Sequence, residues 1–356
     1  MKFFSKKVQK MVGLDFSGST VKLLELGKKG DTYFVESYAI EPLPPESINE
    51  TDIKDIEAVG LAIANVVARS RTALKLGAIA IQNSAVITKI IQMSADLKEH
   101  ELMAQIFSEA DRYIPYPLEE VNLDFKVLGP HPKNSALVDV LLVGTKTDNV
   151  NARVEALALG GLTAKVVDVE TYVIERSFEL IKNDLPNDSV NKTVAIIDMG
   201  ATVMTVCVLH EGKSVYMRDQ NFGGKQLIEE IQRRYNLSMP EAIVAHKEGK
   251  LPPSYEIDIL NPFRFVAVQQ VGRALQFFFS SSSFSEIDAI VLAGGTATTS
   301  GLAQLIQEQL SIPTIIANPF TNMQISSKVN APMVQENAPA LLLCCGLAMR
   351  SFSYDG

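Results

Sequence analysis

The sequence predicts an α/β protein made of two similar halves, with a separate α+β segment inserted in the first half. Three observations lead to this prediction: a motif that occurs once in each half, a change of sequence character over residues 84–162, and a polar linker at residues 183–192. The 356-residue chain is long enough to bury a large core in roughly two or three domain-sized units.

The repeated motif is an apolar β-run, an aspartate, a turn of small or hydroxyl residues, and a second apolar β-run. Its copies are VGLDFSGSTVKLLEL at residues 12–26 and VAIIDMGATVMTVCVL at residues 194–209. The copies align Asp15 with Asp198, Ser17 with Gly200, Gly18 with Ala201, and Ser19 with Thr202. Small turn residues let backbone N–H groups approach a phosphate, hydroxyls hydrogen-bond it, and two aspartates can share a hydrated Mg²⁺. A single Asp-x-Gly turn is common in hairpins, but two copies in register predict a duplicated phosphate clamp.

Composition narrows the class of protein. Hydrophobic residues make up 47% and charged residues 21%, which is typical of a folded soluble protein. The 33 basic and 41 acidic residues give a net charge of −8, which argues against broad electrostatic capture of nucleic acid. The three cysteines lack Cys-x-x-Cys or histidine spacing, so neither structural disulfides nor a zinc site is expected, and a reducing compartment is favoured.

The chain also lacks the signals of membrane insertion. No apolar run approaches the roughly 20 residues that span a bilayer, and no signal-peptide core follows the basic N-terminus MKFFSKKVQK. That N-terminus is interpreted either as a solvated, frayed end or as a segment that contacts a membrane surface. A cytoplasmic protein is therefore expected.

The first half begins at residues 1–83. After the hairpin come a third β-run, Thr32–Ile40, a helix with apolar residues at helical period, Ile53–Arg71, and a further strand, Ala78–Gln82. This β-β-β-α-β order suits one half of a two-fold α/β nucleotide-binding fold.

Residues 84–162 are predicted to form the inserted α+β subdomain. The β-run VITKIIQM precedes an amphipathic helix at His100–Tyr113, and a strand at Ser135–Lys146 precedes a second helix at Asn149–Ala158. The first half resumes at residues 163–192 with a strand and a helix, and ends in the linker NDLPNDSVNK.

The second half is predicted over residues 193–330. Its hairpin and third β-run lead into the turn Gly223-Gly224, which enters an amphipathic helix, and residues 225–262 are expected to form a small subdomain. A long helix, Pro262–Phe279, carries an apolar face that includes Phe265 and is expected to be core. A buried strand runs into Gly294-Gly295-Thr296, and the C-terminal helix of residues 331–356 is predicted to return to the first half.

With these motifs in place, the chain resembles the actin, heat-shock chaperone and sugar kinase ATPase superfamily, in which two ribonuclease H-like halves surround a nucleotide cleft. Within it the chain is most similar to the FtsA-like branch and, there, to the PilM family of type IV pilus assembly proteins. Three features carry the likeness: the insert inside the first half, the stretch IPYPLEEVNLDFKVLG, and an end just after GLAMR. The resemblance implies a duplicated actin-like ATPase fold with an FtsA-like insert, and ATP and Mg²⁺ as ligands.

The resemblance also implies roles for individual residues. Asp15 and Asp198 should hold Mg²⁺ through water, and Asp168 or Glu170 should polarise an attacking water. The implied phosphate-binding residues are Ser17, Gly18, Ser19, Thr20 and Lys22 in the first half, and Asp198, Gly200, Ala201 and Thr202 in the second. The implied nucleoside-binding residues are Gly223, Gly224 and Lys225, and Gly294, Gly295 and Thr296.

Alternatives stay open at three of these positions. Lys22 can equally be an outward-facing strand residue, and Asp168 and Glu170 can simply cap a helix N-terminus. Glu241 and Lys247 fall out of the register in which the family grips adenine, so no adenine contact is assigned to them.

By resemblance, the preferred function is a cytoplasmic, ATP-binding scaffold peripheral to the inner membrane, with little or slow ATPase activity. Its implied partner is the N-terminal tail of the membrane protein PilN, bound between the insert and the first half, with the insert's helix and the loop Tyr113–Pro117 as its lining. Other pilus inner-membrane proteins are further partners, and a weak homo-oligomer is left open. The alternatives are a turnover-competent ATPase and an FtsA-like filament former of cell division or secretion.

Overall fold

The computed structural model of the protein describes residues 9–49, 52–186 and 192–352. The basic N-terminal segment, residues 1–8, and residues 187–191 of the predicted linker lie outside the described residues. Within the described ranges no helix is both long and apolar enough to cross a membrane.

The strands are β1 (Val12–Ser17), β2 (Thr20–Lys29), β3 (Thr32–Pro42), β4 (Ile48–Asn49), β5 (Asp52–Ile53), β6 (Leu76–Ile81), β7 (Val86–Ser94), β8 (Val121–His131), β9 (Asn134–Lys146), β10 (Thr163–Val169), β11 (Thr193–Met199), β12 (Met204–His210), β13 (Lys213–Gln220), β14 (Ala289–Ala293), β15 (Thr314–Ile316) and β16 (Gln324–Ile325). The α-helices are α1 (Ile56–Ser70), α2 (Glu99–Glu109), α3 (Thr147–Leu159), α4 (Glu170–Ile181), α5 (Gly224–Tyr235), α6 (Met239–Lys247), α7 (Asn261–Ser281), α8 (Leu302–Leu310), α9 (Ala331–Glu336) and α10 (Leu342–Ala348).

Two sheets repeat the same pairing pattern. In the first half β1 pairs antiparallel with β2 and parallel with β6, and β3 extends the meander. In the second half β11 pairs antiparallel with β12 and parallel with β14, and β13 extends the meander. The full strand orders are β10-β6-β1-β2-β3-β16 and β13-β12-β11-β14-β15. This duplication confirms the predicted α/β fold of two related halves.

The central strands are buried on both faces. Alternate residues of β11 enter different cores, because successive side chains of a strand point to opposite faces. Ala195 and Ile197 pack in the core that contains α7, whereas Val194 and Ile196 pack in the core that contains α4. Because both faces of the sheet are covered, the sequences of these strands are continuous apolar runs rather than alternating apolar and polar residues.

The insert contains a three-stranded antiparallel sheet of order β7-β9-β8. Helix α2 covers one face, with Leu102 and Ile106 against Ile91 and Val140. Helix α3 falls within the range predicted for the insert but packs on α1, and Ala156 and Leu157 belong to the core of the first half. The domain boundaries stay a prediction, and the sheet of the insert ends at Lys146.

Helix α10 returns to the first half and lies between β1 and α4. A Cβ added to Gly13 of β1 would lie 2.3 Å from the Cys344 carbonyl oxygen, and one added to Gly346 would lie 2.3 Å from the Val173 carbonyl oxygen. The Ser351 hydroxyl accepts a hydrogen bond from the Met11 N–H at 2.9 Å and donates one to the Met11 carbonyl at 3.0 Å. The C-terminal segment is therefore joined to the start of the first sheet by close backbone approaches.

The expectation that Phe265 belongs to the core face of the long helix is wrong, because its side chain is 53% exposed. The buried face of α7 runs through Phe263, Val271 and Phe278. At 3.6 residues per turn, Phe265 lies about 130° from the centre of that face.

Candidate functional site

The two copies of the repeated motif meet where the halves face each other. Gly18, in the β1–β2 turn, has a positive φ of 65°. A Cβ added to it would lie 3.4 Å from the Cβ of Ala201 and 3.6 Å from Oγ1 of Thr202, in the β11–β12 turn. Gly200 closes that second turn with an N–H···O bond of 2.9 Å to the Val203 carbonyl. The duplicated turns, recognised separately in the sequence, thus lie against one another.

Asp15 and Lys22 form an ion pair at the base of the first turn. They are direct cross-strand partners in the β1–β2 hairpin, which places both side chains on the same face. Lys22 Nζ lies 2.6 Å from Asp15 Oδ2, and the two side chains are 13% and 10% exposed. Lys22 therefore lies in the cleft rather than on an outward strand face.

Negative charge accumulates in this cleft. Burial raises the pKa of Asp198 to about 6, the charge of Asp15 adds to this, and Lys22 opposes it. Burial also raises the pKa of Glu170 well above its usual value, with the charges of Asp219, Asp15 and Asp198 adding to the effect. Burial would lower the pKa of Lys22, but Asp15 and Asp198 hold it above its usual value. Such a cleft favours a ligand that brings positive charge to these carboxylates.

The first Gly-Gly segment packs directly on the second turn. A Cβ added to Gly223 would lie 2.4 Å from the Ala201 carbonyl oxygen. The Gly224 N–H donates to the Gly200 carbonyl at 3.1 Å, and the Lys225 N–H donates to the Ala201 carbonyl at 2.8 Å. The start of α5 is therefore fixed against the second turn, and a side chain at Gly223 would collide with the backbone of that turn.

The second Gly-Gly segment reaches the same turn from β14. Gly294 has a positive φ of 83°, and a Cβ there would lie 2.4 Å from Asp198 Oδ1 and from the Met199 carbonyl oxygen. The Thr296 hydroxyl donates to the Gly200 carbonyl at 2.8 Å. Gly295 is exposed, with open space around its Cβ position. The two segments and the turn form one packed unit.

The two candidate catalytic acids have different surroundings. Asp168 Oδ2 lies 3.0 Å from Nη2 of Arg176 and 3.4 Å from Nε of Arg350, so its carboxylate joins α4 to the C-terminal segment. Glu170, the first residue of α4, is only 8% exposed and belongs to the group of acids around Asp15 and Asp198. Neither arginine was identified from the sequence, because no motif in the sequence links Arg176 or Arg350 to Asp168.

The sequence also singled out Glu241, Lys225 and Ser17. The Glu241 carboxylate accepts hydrogen bonds from the N–H and the hydroxyl of Ser238, at 2.8 Å and 2.6 Å, and caps α6. The Lys225 ammonium is exposed and lies 3.8 Å from Glu229. Ser17 ends β1, and its side chain is outside the part of the chain that the structure describes.

Sequence reasoning missed Asp219, whose carboxylate accepts a hydrogen bond from the Thr205 hydroxyl at 2.8 Å. Its place near the end of a β-run was visible in the sequence, but an aspartate there is also an ordinary residue before a turn.

The residues present fit a nucleotide with a hydrated Mg²⁺. Within the described ranges no group of three or more histidine, cysteine, aspartate or glutamate side chains could hold a metal ion directly. Mg²⁺ usually keeps several waters and takes one or two carboxylates together with phosphate oxygens. Asp15 and Asp198 beside the turns supply such a pair, and the glycines allow the backbone to approach a ligand closely.

Comparison with known proteins gives one family match and several structural ones. Residues 13–352 match the family described as "Type IV pilus assembly protein PilM". The chain is similar to the solved "PilM-PilN type IV pilus biogenesis complex", with 26% identity, a TM-score of 0.77, and coverage of 97% of this chain and 99% of that one.

Two further structures share the fold. Ethanolamine utilization protein EutJ from Carboxydothermus hydrogenoformans has 14% identity and a TM-score of 0.55, with 95% of this chain and 89% of that chain covered. MreB5 of Spiroplasma citri bound to ADP has 12% identity and a TM-score of 0.50, with 95% and 94% covered.

The close approach at Gly294 predicts that Gly294→Ala lowers the free energy of unfolding by roughly 2–4 kcal/mol, because the new Cβ meets backbone and a positive φ is strained for alanine. Gly295→Ala is the matched control and should change stability by less than about 0.5 kcal/mol. Urea denaturation of both variants measures the difference. Equal stability of the two would contradict the packing of β14 on the second turn.

The raised pKa of Asp198 predicts a pH-dependent stability without nucleotide. A carboxyl whose folded pKa lies above its unfolded value makes the free energy of unfolding fall as pH rises, here between about 3.8 and about 6. Asp198→Asn should remove this fall, which amounts to about 3 kcal/mol, and should therefore be more stable than wild type at pH 7. Denaturation across this pH range tests it, with Asp111→Asn on the surface as the control. If the free energy of unfolding of Asp198→Asn changes with pH as it does in wild type, the prediction is contradicted.

Proposed function

Because the chain belongs to the type IV pilus assembly protein PilM family, we propose that it is an actin-like scaffold that binds ATP with Mg²⁺ and captures the N-terminal tail of PilN. The proposed nucleotide binding rests on one observation: the two duplicated turns contact each other beside Asp15 and Asp198. For the partner, support comes from the family and from the similar PilM-PilN complex. We place the protein in the cytoplasm, at the inner membrane that anchors PilN.

In this proposal ATP joins the two halves. A ligand that contacts both turns binds the closed arrangement better than an open one, and so it stabilises the closed arrangement. The proposed phosphate contacts are Ser17, Gly18, Ser19, Thr20, Lys22, Gly200, Ala201 and Thr202, and the proposed nucleoside contacts are Gly223, Gly224, Lys225, Gly294, Gly295 and Thr296. Bound Mg²⁺ would supply charge neutralisation at the phosphates beside Asp15 and Asp198.

Slow hydrolysis follows from the surroundings of the two candidate acids. The carboxylate of Asp168 is engaged by Arg176 and Arg350. The raised pKa of Glu170 favours its protonated form, which cannot accept a proton from water. We therefore propose that ATP acts mainly as a structural ligand, with turnover as a secondary activity at most.

The insert offers the surface for the partner. Met103 and Phe107 of α2 are 45% and 47% exposed, although both are large and apolar. In the neighbouring loop Tyr116 is partly exposed, and the Lys146 ammonium lies 4.5 Å from the centre of its ring. Within the described residues β7 and β8 are the edges of the insert's sheet, so an extended peptide could add a strand there while α2 receives its apolar side chains.

Calorimetry with Mg-ATP and a peptide copying the PilN N-terminus tests both parts of the proposal. Wild-type protein should bind both ligands, with no steady phosphate release in the same sample. Phe107→Asp should weaken peptide binding by about tenfold or more and leave ATP binding unchanged. Phe265→Asp, a similarly exposed phenylalanine in the second half, is the control and should bind both ligands normally.

Two outcomes would count against the scaffold. Nucleotide binding without peptide binding, accompanied by steady phosphate release, would make the protein an ATPase enzyme. If both phenylalanine variants still bind the peptide, the partner surface does not include this face of α2.

A further inference from the structure

Lys22 already places a cation at the carboxylates of the cleft. Its ammonium lies 2.6 Å from Asp15 Oδ2, which is the distance of a strong charge-assisted hydrogen bond. Lys22 and Asp15 are also direct partners in the β1–β2 register, so the ammonium lies at one of the two aspartates that are proposed to hold Mg²⁺ through water.

The position of this ammonium is fixed by the fold. Lys22 pairs with Asp15 in the hairpin register, and its neighbours Val21 and Leu23 are fully buried. From the other side, the Cys344 thiol of α10 donates to the Lys22 carbonyl at 3.5 Å. Because the backbone is anchored in this way, the side chain has little freedom to leave Asp15 unless another anion replaces it.

We propose that Lys22 is a specificity-determining residue of the cleft, whose ammonium neutralises Asp15 in the nucleotide-free protein, so that the site takes up a divalent cation only together with phosphates. The inference rests on the proposed nucleotide function and deepens it. A divalent cation arriving alone must displace the ammonium and leave it buried without an anionic partner, which is costly. Phosphate oxygens offer the ammonium a new partner, and the binding of cation and nucleotide is therefore thermodynamically coupled.

The test is the melting temperature in EDTA and in increasing Mg²⁺, without nucleotide, compared with NaCl of equal ionic strength. Wild type should show no specific Mg²⁺ shift. Lys22→Met, which keeps an unbranched side chain but lacks the terminal ammonium, should melt lower in EDTA and recover with Mg²⁺. The double variant Asp15→Asn/Lys22→Met should lose the recovery.

Lys182→Met is the matched control, since Lys182 also lies 2.6 Å from a carboxylate, that of Glu179, but in an exposed pair. It should show no Mg²⁺ response. A wild-type shift as large as that of Lys22→Met, or a Lys22→Met protein that Mg²⁺ does not affect, would overturn the proposal.

A nucleotide experiment separates this inference from the proposed function. Because coupling is reciprocal, replacing Mg²⁺ by EDTA should weaken ATP binding at least tenfold more in wild type than in Lys22→Met, a difference of about 1.4 kcal/mol. If wild type does not bind nucleotide at all, the proposed function fails, and the melting experiment still decides the role of Lys22.

Should Lys22→Met not fold, wild type and Lys22→Arg decide the matter. Both proteins keep the positive charge. Each should bind Mg²⁺ at least about tenfold more weakly when no nucleotide is present than when a slowly hydrolysed ATP analogue is present. Equal Mg²⁺ affinities with and without the analogue would refute the coupling.

Discussion

The accumulation of carboxylates where the two halves meet is the constraint on which the site depends. Asp15 comes from the first hairpin and Asp198 from the second, and each raises the cost of charge on its neighbours. Lys22 offsets part of this cost by pairing with Asp15. The carboxylates make the cleft electrostatically unfavourable, and a cation-bearing ligand would relieve this, which is the physical reason for the proposed closure around a nucleotide.

The packing around the cleft makes this electrostatic site rigid. Gly223 and Gly294 bring backbone against the second turn, and Thr296 donates to the Gly200 carbonyl. Behind the site α10 lies against β1 and α4, with Asp168 joined to Arg176 and Arg350. Helix α4 and the C-terminal segment are thus held together by ion pairs and close backbone contacts.

The sequence predicted those features that local patterns encode. The two hairpins were recognisable because β-runs, aspartates and small turn residues occur in fixed order, and the Gly-Gly segments because they follow a β-run or enter a helix. The ion pairs of Asp168 were not predictable, since Arg350 reaches it only through the return of α10. The exposure of Phe265 and the packing of α3 on α1 also depend on tertiary placement. Asp219 has no local signal that separates it from an ordinary strand-end aspartate.

In the proposed function one nucleotide is held by both turns at once. Amide hydrogen exchange of residues 18–20 and 201–203, measured with and without Mg-ATP, tests whether both turns hold it. We expect exchange to slow in both turns together, at the same nucleotide concentration. Protection of one turn alone, or of neither while ATP is demonstrably bound, would contradict it.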